Sequence, residues 1–193
     1  MDALAARERT ASRLGSVPVG LRDLGMRLGD VVTRGTIAGL ASGLVFLVAN
    51  MGWAVHKDKP AVAPLIDIST IFHTQDQPAP VNAPPFGVDN VVVGLVTHLT
   101  LAMIFGIVFV LLAIALVRSN AVLAGAGVAY GLLLYVVNFQ IRGRTAFPWF
   151  TDSMGPPQGF EVFIHAVFGL FLVPFLVGCL RLAPEAVKQA SRA

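Results

Sequence analysis

The stretch GTIAGLASGLVFLVANMGWAVH, residues 35–56, decides the fold. Its 22 residues hold no Asp, Glu, Lys or Arg. A helix needs roughly 20 apolar residues to cross a bilayer core. Three further stretches, 90–117, 119–141 and 162–180, are equally free of charge. The hydrocarbon offers no water to backbone N–H and C=O groups, so runs of this length cross as helices. Composition agrees, with 55% hydrophobic and 13% charged residues and a mean hydropathy of +0.74. A soluble domain carries about 25% charged residues. The expected fold is therefore all-α: a polytopic membrane protein with a four-helix transmembrane bundle. Its spans fall near 35–56, 91–117, 120–140 and 161–181, within a membrane domain 35–181.

Several classes drop out early. Cys179 is the sole cysteine, so the chain has no internal disulfide, CxxC pair or cysteine metal cage. The net charge of +3 does not point to nucleic acid, because the basic residues follow membrane topology. About 34 residues precede the first span, which exceeds a signal-peptide core of ~7–15 residues. An uncleaved anchor is expected.

Cytoplasmic segments are enriched in Lys and Arg. With the N-terminus inside, Arg7, Arg9, Arg13, Arg22, Arg27, Arg34, Arg118, Arg181, Lys188 and Arg192 lie in the cytoplasm. Only Lys57, Lys59, Arg142 and Arg144 lie outside. Both termini are thus placed in the cytoplasm, and 57–89 and 142–160 outside. Residues 1–34 form a cytoplasmic tail. Leu21, Leu24, Leu28, Val31 and Val32 recur there at helical spacing, as in an amphipathic helix on the inner leaflet; a plain extension of the first span is the alternative. Residues 182–193 form a second cytoplasmic tail. In the first outer loop, Pro64 suits a first helical turn, and Leu65, Ile66, Ile68, Ile71 and Phe72 follow. A short extracytoplasmic cap helix is expected near 64–72, with the proline-rich piece 78–85 returning in extended form. Phe147, Trp149 and Phe150 suit the lipid–water interface.

Spans one and three share a pattern. Gly39, Gly43 and Asn50 have the spacing of Gly127, Gly131 and Asn138, 88 residues later. Spans two and four each place a histidine before Phe-Gly: His98 before Phe105-Gly106, and His165 before Phe168-Gly169. Such a repeat would be parallel, related by an axis along the membrane normal. Small residues let membrane helices approach closely, so Gly39, Gly43, Gly106, Gly127, Gly131 and Gly169 mark the packing faces.

Polar groups inside the hydrocarbon are costly and mark sites. Here they share the outer half. Asn50 lies near the outer end of span one. His98 is about 12 Å into span two, at 1.5 Å per residue. Tyr135 and Asn138 lie near the outer end of span three, and His165 near the outer start of span four. Glu161 precedes His165 by four residues, so its carboxylate can share a face with the imidazole and orient it. A ligand set of Asn50, His98, Tyr135, Asn138, Glu161 and His165 follows. The bland reading makes the histidines interhelical locks, the asparagines helix clamps and Glu161 a solvated interfacial charge. A bis-His haem on His98 and His165 is a third reading. A dihaem arrangement needs four axial ligands, and His56 and His73 fall at a membrane edge and in a loop. No Ser-His-Asp order, HExxH motif or Gly-rich phosphate loop is present. No catalytic residue or metal site is assigned, no cofactor beyond the haem or transition-metal alternative is expected, and the balance lies against an enzyme.

The segments Gly131–Phe139, Phe147–Phe150 and His165–Gly169 resemble short bacterial four-span integral membrane proteins of unknown function. The likeness covers about residues 35–180 and is most specific from the third span to the fourth. It implies a bacterial inner-membrane location and no catalytic residues. Some of these proteins carry the automatic label "sodium:proline symporter". Symporters of that kind have many more spans, with discontinuous helices at the midplane. Four spans match that only as an oligomer, so a second copy is a candidate partner beside lipid and a small molecule or ion. Three functions stay open: a small-molecule or ion binder, a structural or stress-related membrane protein without ligand, and a haem-binding electron carrier.

Overall fold

The computed structural model describes residues 28–73, 88–116, 119–151 and 155–177. The amphipathic helix expected from Leu21 lies outside them up to Leu28. The extended piece 78–85, the Trp149 side chain, Cys179 and the tail 182–193 lie outside them too. Helix α1 runs Leu28–His56, α2 Ala63–His73, α3 Val88–Leu116 and α4 Asn120–Tyr135. The fourth continues as a π-helix, Val136–Arg142, and a last α turn, Gly143–Thr145. Helix α5 runs Gln158–Leu172 and passes into a 3-10 turn, Val173–Phe175. Helices α1, α3, α4 with its extension, and α5 are long and apolar enough to cross a membrane. The short helix expected at 64–72 is α2, lying across one end of the bundle, here called the cap end.

Local sequence sets the boundaries. Ser119 accepts the Val122 N–H at 3.3 Å and caps α4, filling one of the orphan donors of a helix start. Helix α1 stops where Lys57 N–H and Lys59 N–H both turn back to the Ala54 carbonyl, at 3.0 and 2.9 Å. Asp58 between them takes the left-handed conformation, φ 57°, which aspartate tolerates better than most residues. Pro174 brings no N–H, so the α-helical ladder gives way to the 3-10 turn there. At the π-helix the Gly143 N–H reaches the Asn138 carbonyl, five residues back.

The transmembrane helices are apolar on every side. Val48 and Val96 remain 66% and 58% exposed, as lipid contact requires. Residue size, not polarity, therefore distinguishes the packed faces. A methyl group added at Gly39 would land on the backbone of Ala102, and one at Gly131 on the carbonyl of His165. Gly106 is pressed against Gly35 and Gly39, and Gly169 against Gly127 and Gly131. Two glycine interlocks result, α1 with α3 and α4 with α5. All six glycines marked as packing residues meet a neighbouring helix.

The contacts also set the register between the two halves. Gly35, Gly39 and Gly106 occupy the places of Gly127, Gly131 and Gly169. This pairs each odd-numbered span one turn away from the match of Gly39 and Gly43 with Gly127 and Gly131. In this register Asn50 and Asn138 are not equivalents, and His98 corresponds to Glu161 rather than His165.

Helix α1 also packs along α5, so the backbones approach in the order α3, α1, α5, α4. The short link 117–119 makes α3 and α4 sequence neighbours, yet they meet mainly through side chains. The Tyr130 hydroxyl donates to the Phe105 carbonyl at 2.8 Å, and its ring lies 5.2 Å from Phe109. Phe109, Val110, Leu123 and Leu172 fill the core away from the cap.

Candidate functional site

Toward the cap end the helices separate around a cavity of about 730 Å³. Helix α1 presents Phe46, Asn50 and Trp53 to it, and α5 presents Glu161, His165 and Phe168. Both triplets have i, i+4, i+7 spacing, which is one helix face. Helix α3 adds His98, the α4 extension adds Asn138 and Phe139, and α2 closes the end with Asp67.

The histidines are buried, His98 to 8% and His165 to 6% exposure. His98 Nε2–H donates to the Gly43 carbonyl at 2.8 Å. That bond joins α3 to α1 and needs the close approach that Gly43 allows, since a methyl there would press on Ala102. His165 Nδ1–H donates to the Glu161 main-chain carbonyl at 2.7 Å, with Glu161 Oε2 farther away at 3.5 Å. The main chain, not the carboxylate expected from the spacing, therefore holds the His165 ring. A carbonyl can only accept, so each bond assigns one ring proton, and the second nitrogen of a neutral ring is an acceptor. Phe46 packs on both rings, at 5.7 Å from His98 and 4.9 Å from His165.

The other sequence candidates divide. Glu161 is buried to 3% exposure in the cavity wall. Asn50 bonds its own helix, Nδ2–H donating to the Phe46 carbonyl at 3.2 Å, so it is no interhelical clamp. Asn138 lines the cavity. Tyr135 does not line the cavity, although its ring meets that of His165 edge-on at 5.9 Å. Its hydroxyl donates to Gln158 Oε1 at 3.0 Å and accepts from Gln140 Nε2 at 2.7 Å. Gln158 in turn donates to the Phe150 carbonyl at 2.8 Å. This network ties the cap ends of α4 and α5 together.

Asp67 is the residue that sequence reasoning missed. It lies on α2, between Ile66 and Ile68, and faces the cavity. Burial pushes its carboxyl up from the ordinary value of 3.8 to about 7, against the opposing pull of Lys59. Asp67 and Glu161 are near enough to repel each other when both are ionised. Among the described residues, three buried polar atoms lack a hydrogen-bond partner: Ser42 Oγ, Trp53 Nε1 and Asp67 Oδ1. The last two belong to residues that line the cavity. A buried polar atom without a partner costs about 1–3 kcal/mol, so each invites a ligand atom or water. A signal was present: a lone acid among Leu65, Ile66, Ile68 and Ile71.

Among the described residues no three His, Cys, Asp or Glu converge as a metal site. His98 Nε2 is already committed to Gly43.

Among the described residues, four helices able to cross a membrane in an all-α bundle define a polytopic membrane protein in contact with the lipid bilayer. No protein-family model, curated protein or solved structure matches the chain.

Proposed function

We propose that the protein binds a small molecule in the capped cavity. The observation that carries this reading is a pair of unsatisfied buried polar atoms, Asp67 Oδ1 and Trp53 Nε1, on the wall of a ligand-sized cavity. Ligand pockets are concave, largely apolar and carry a few convergent polar groups. Within this reading His98 locks α3 to α1, while Asp67, Glu161, Asn138 and His165 offer contacts to the ligand. The lock reading accounts for His98 through its bond to Gly43, but leaves Asp67 and Trp53 unexplained. The positive-inside bias supports an outer cap end and cytoplasmic termini. The resemblance to short bacterial four-span proteins suggests the inner membrane.

The pocket is tested by filling it. Asn138 makes no side-chain hydrogen bond among the described residues, so Asn138→Trp adds bulk and removes no bond. The protein in lipid nanodiscs is titrated with three probes of related shape: tetraphenylphosphonium, triphenylphosphine oxide and tetraphenylborate. At least one is expected to bind saturably above empty nanodiscs. That binding should be lost in Asn138→Trp and kept in Val96→Trp on the lipid face. Binding of none, or binding indifferent to Asn138→Trp, overturns the pocket reading.

Orientation has its own test. A reporter active only in the cytoplasm is expected to be on when fused after Ala193 and off when inserted at 74–85. The reverse pair of results places the cavity on the cytoplasmic side.

A further inference from the structure

We propose that the ligand is an apolar cation: one positive charge on a largely hydrocarbon body, held between the carboxyl groups of Asp67 and Glu161. The proposal rests on the pocket reading and adds the charge and polarity of what enters.

The first argument is depth. From the cap inward, the cavity passes Asp67 on α2, then Glu161 and His165 on α5. It ends on Leu101, Phe105, Leu134 and Phe168. Charge-bearing groups occupy the upper level and hydrocarbon the floor. A ligand matched to this order carries its charge at one level and an apolar body below.

The second argument is uncompensated charge. Two carboxyl groups from separate elements face one cavity and repel when ionised. Among the described residues neither forms an ion pair with Lys or Arg, the only close partner of Glu161 being His165. Three cations do line the mouth: Lys57, Lys59 and Arg142. Lys57 and Arg142 are exposed, and Lys57 lies over the Trp53 ring at 5.2 Å. Lys59 acts on Asp67 from a half-buried position. Solvated charges are screened within about 10 Å at 0.1 M salt, whereas partly buried charges on a cavity wall are screened much less. The interior field is therefore set by the acids.

The third argument is the remaining lining. Phe46, Trp53 and Phe139 add aromatic rings to the walls, and such faces attract cations. Both imidazoles have spent the N–H seen here on a main-chain carbonyl. Trp53 Nε1 is the unpartnered donor and suits an ether or carbonyl oxygen on the same ligand. An anion gains no countercharge from either carboxyl and is repelled by each in its ionised form. A bare metal ion would want several oxygen ligands, and the described residues supply no such cluster.

The charge of the probe separates the outcomes. Tetraphenylphosphonium and tetraphenylborate share a shape and differ in sign; triphenylphosphine oxide is neutral. In nanodiscs, the full chain is expected to bind the phosphonium about tenfold or more tighter than the neutral probe, and to show no saturable borate binding. Asp67→Asn and Glu161→Gln should each weaken phosphonium binding about tenfold and leave neutral binding within about twofold, which reports an intact fold. Borate binding as tight as phosphonium binding, or phosphonium binding indifferent to both substitutions, overturns the cation proposal. If that binding is still lost in Asn138→Trp, the pocket stands and only the ligand class falls. If no probe binds, both readings fall together.

Discussion

Alanine at Gly169 or Gly106 is expected to destabilise the bundle severely, although it adds only one methyl group. At Gly169 that methyl falls on the Gly127 carbonyl and within 2.8 Å of Gly131 N. At Gly106 it falls on the Gly35 carbonyl and 2.7 Å from Gly39 Cα. These are backbone atoms on the facing helix, with no side chain to swing away. The helices must separate, and with them every contact along the interlock. Overpacking costs typically 1–3 kcal/mol, and these sites belong at or above the upper end; leucine should be worse. Gly125 and Gly52 are internal controls, since an added methyl meets nothing within 4 Å at either. Alanine there should be neutral or stabilising by up to about 1 kcal/mol, from helix propensity alone. Thermal unfolding in one detergent compares the four variants. If Gly169→Ala melts with Gly125→Ala, the α4–α5 interlock is not a close-packed interface.

The glycine faces were legible because spacing and helix geometry suffice to find them. A small residue every fourth position makes a flat stripe wherever the helix is placed. The partner and register were not legible. Span one offers Gly35, Gly39 and Gly43, and either neighbouring pair of these could match Gly127 and Gly131. Only the facing helix decides, and it selects Gly35 and Gly39. That slip of one turn is why Asn50 and Asn138 share a spacing but not a place. The closest-packed neighbours were not legible for a similar reason. A short loop holds α3 and α4 ends together, but close approach needs small residues. Between these helices stand Phe105, Phe109 and Tyr130.

The site was legible in depth and not in azimuth. Counting from the span ends placed Asn50, His98, Asn138, Glu161 and His165 at one level, and all line the cavity. The same count included Tyr135, which turns its hydroxyl to Gln140 and Gln158. The π-helix that follows changes the residues per turn, so regular α spacing cannot place positions beyond 135. Asp67 escaped because α2 reads as an apolar cap, and its acid as a surface residue. Tertiary packing turns it toward the cavity, where solvent relieves its charge less.

Asp67 then makes the ligand-free protein less stable as pH rises. The native carboxyl titrates near 7 and the unfolded one near 3.8. Between those values the native state holds a proton that the unfolded state has released. Stability falls where the native state binds more protons. The loss therefore begins near pH 4 and is complete somewhat above pH 7. Three pKa units correspond to on the order of 3 kcal/mol for a side chain that keeps some solvent contact. Asp67→Asn cannot ionise and should escape this loss. At pH 4 the two proteins should melt together. At pH 8 the variant should melt roughly 6–12 °C higher, given about 2–4 °C per kcal/mol for a chain of this size. The difference between the two proteins isolates position 67 from Glu161, Lys59 and the histidines, which both retain. Equal melting at pH 8 would show that Asp67 is not buried against its charge. A cation in the cavity acts on the same term. It supplies the missing countercharge, so the wild type should recover with phosphonium above pH 7 what Asp67→Asn already has without it.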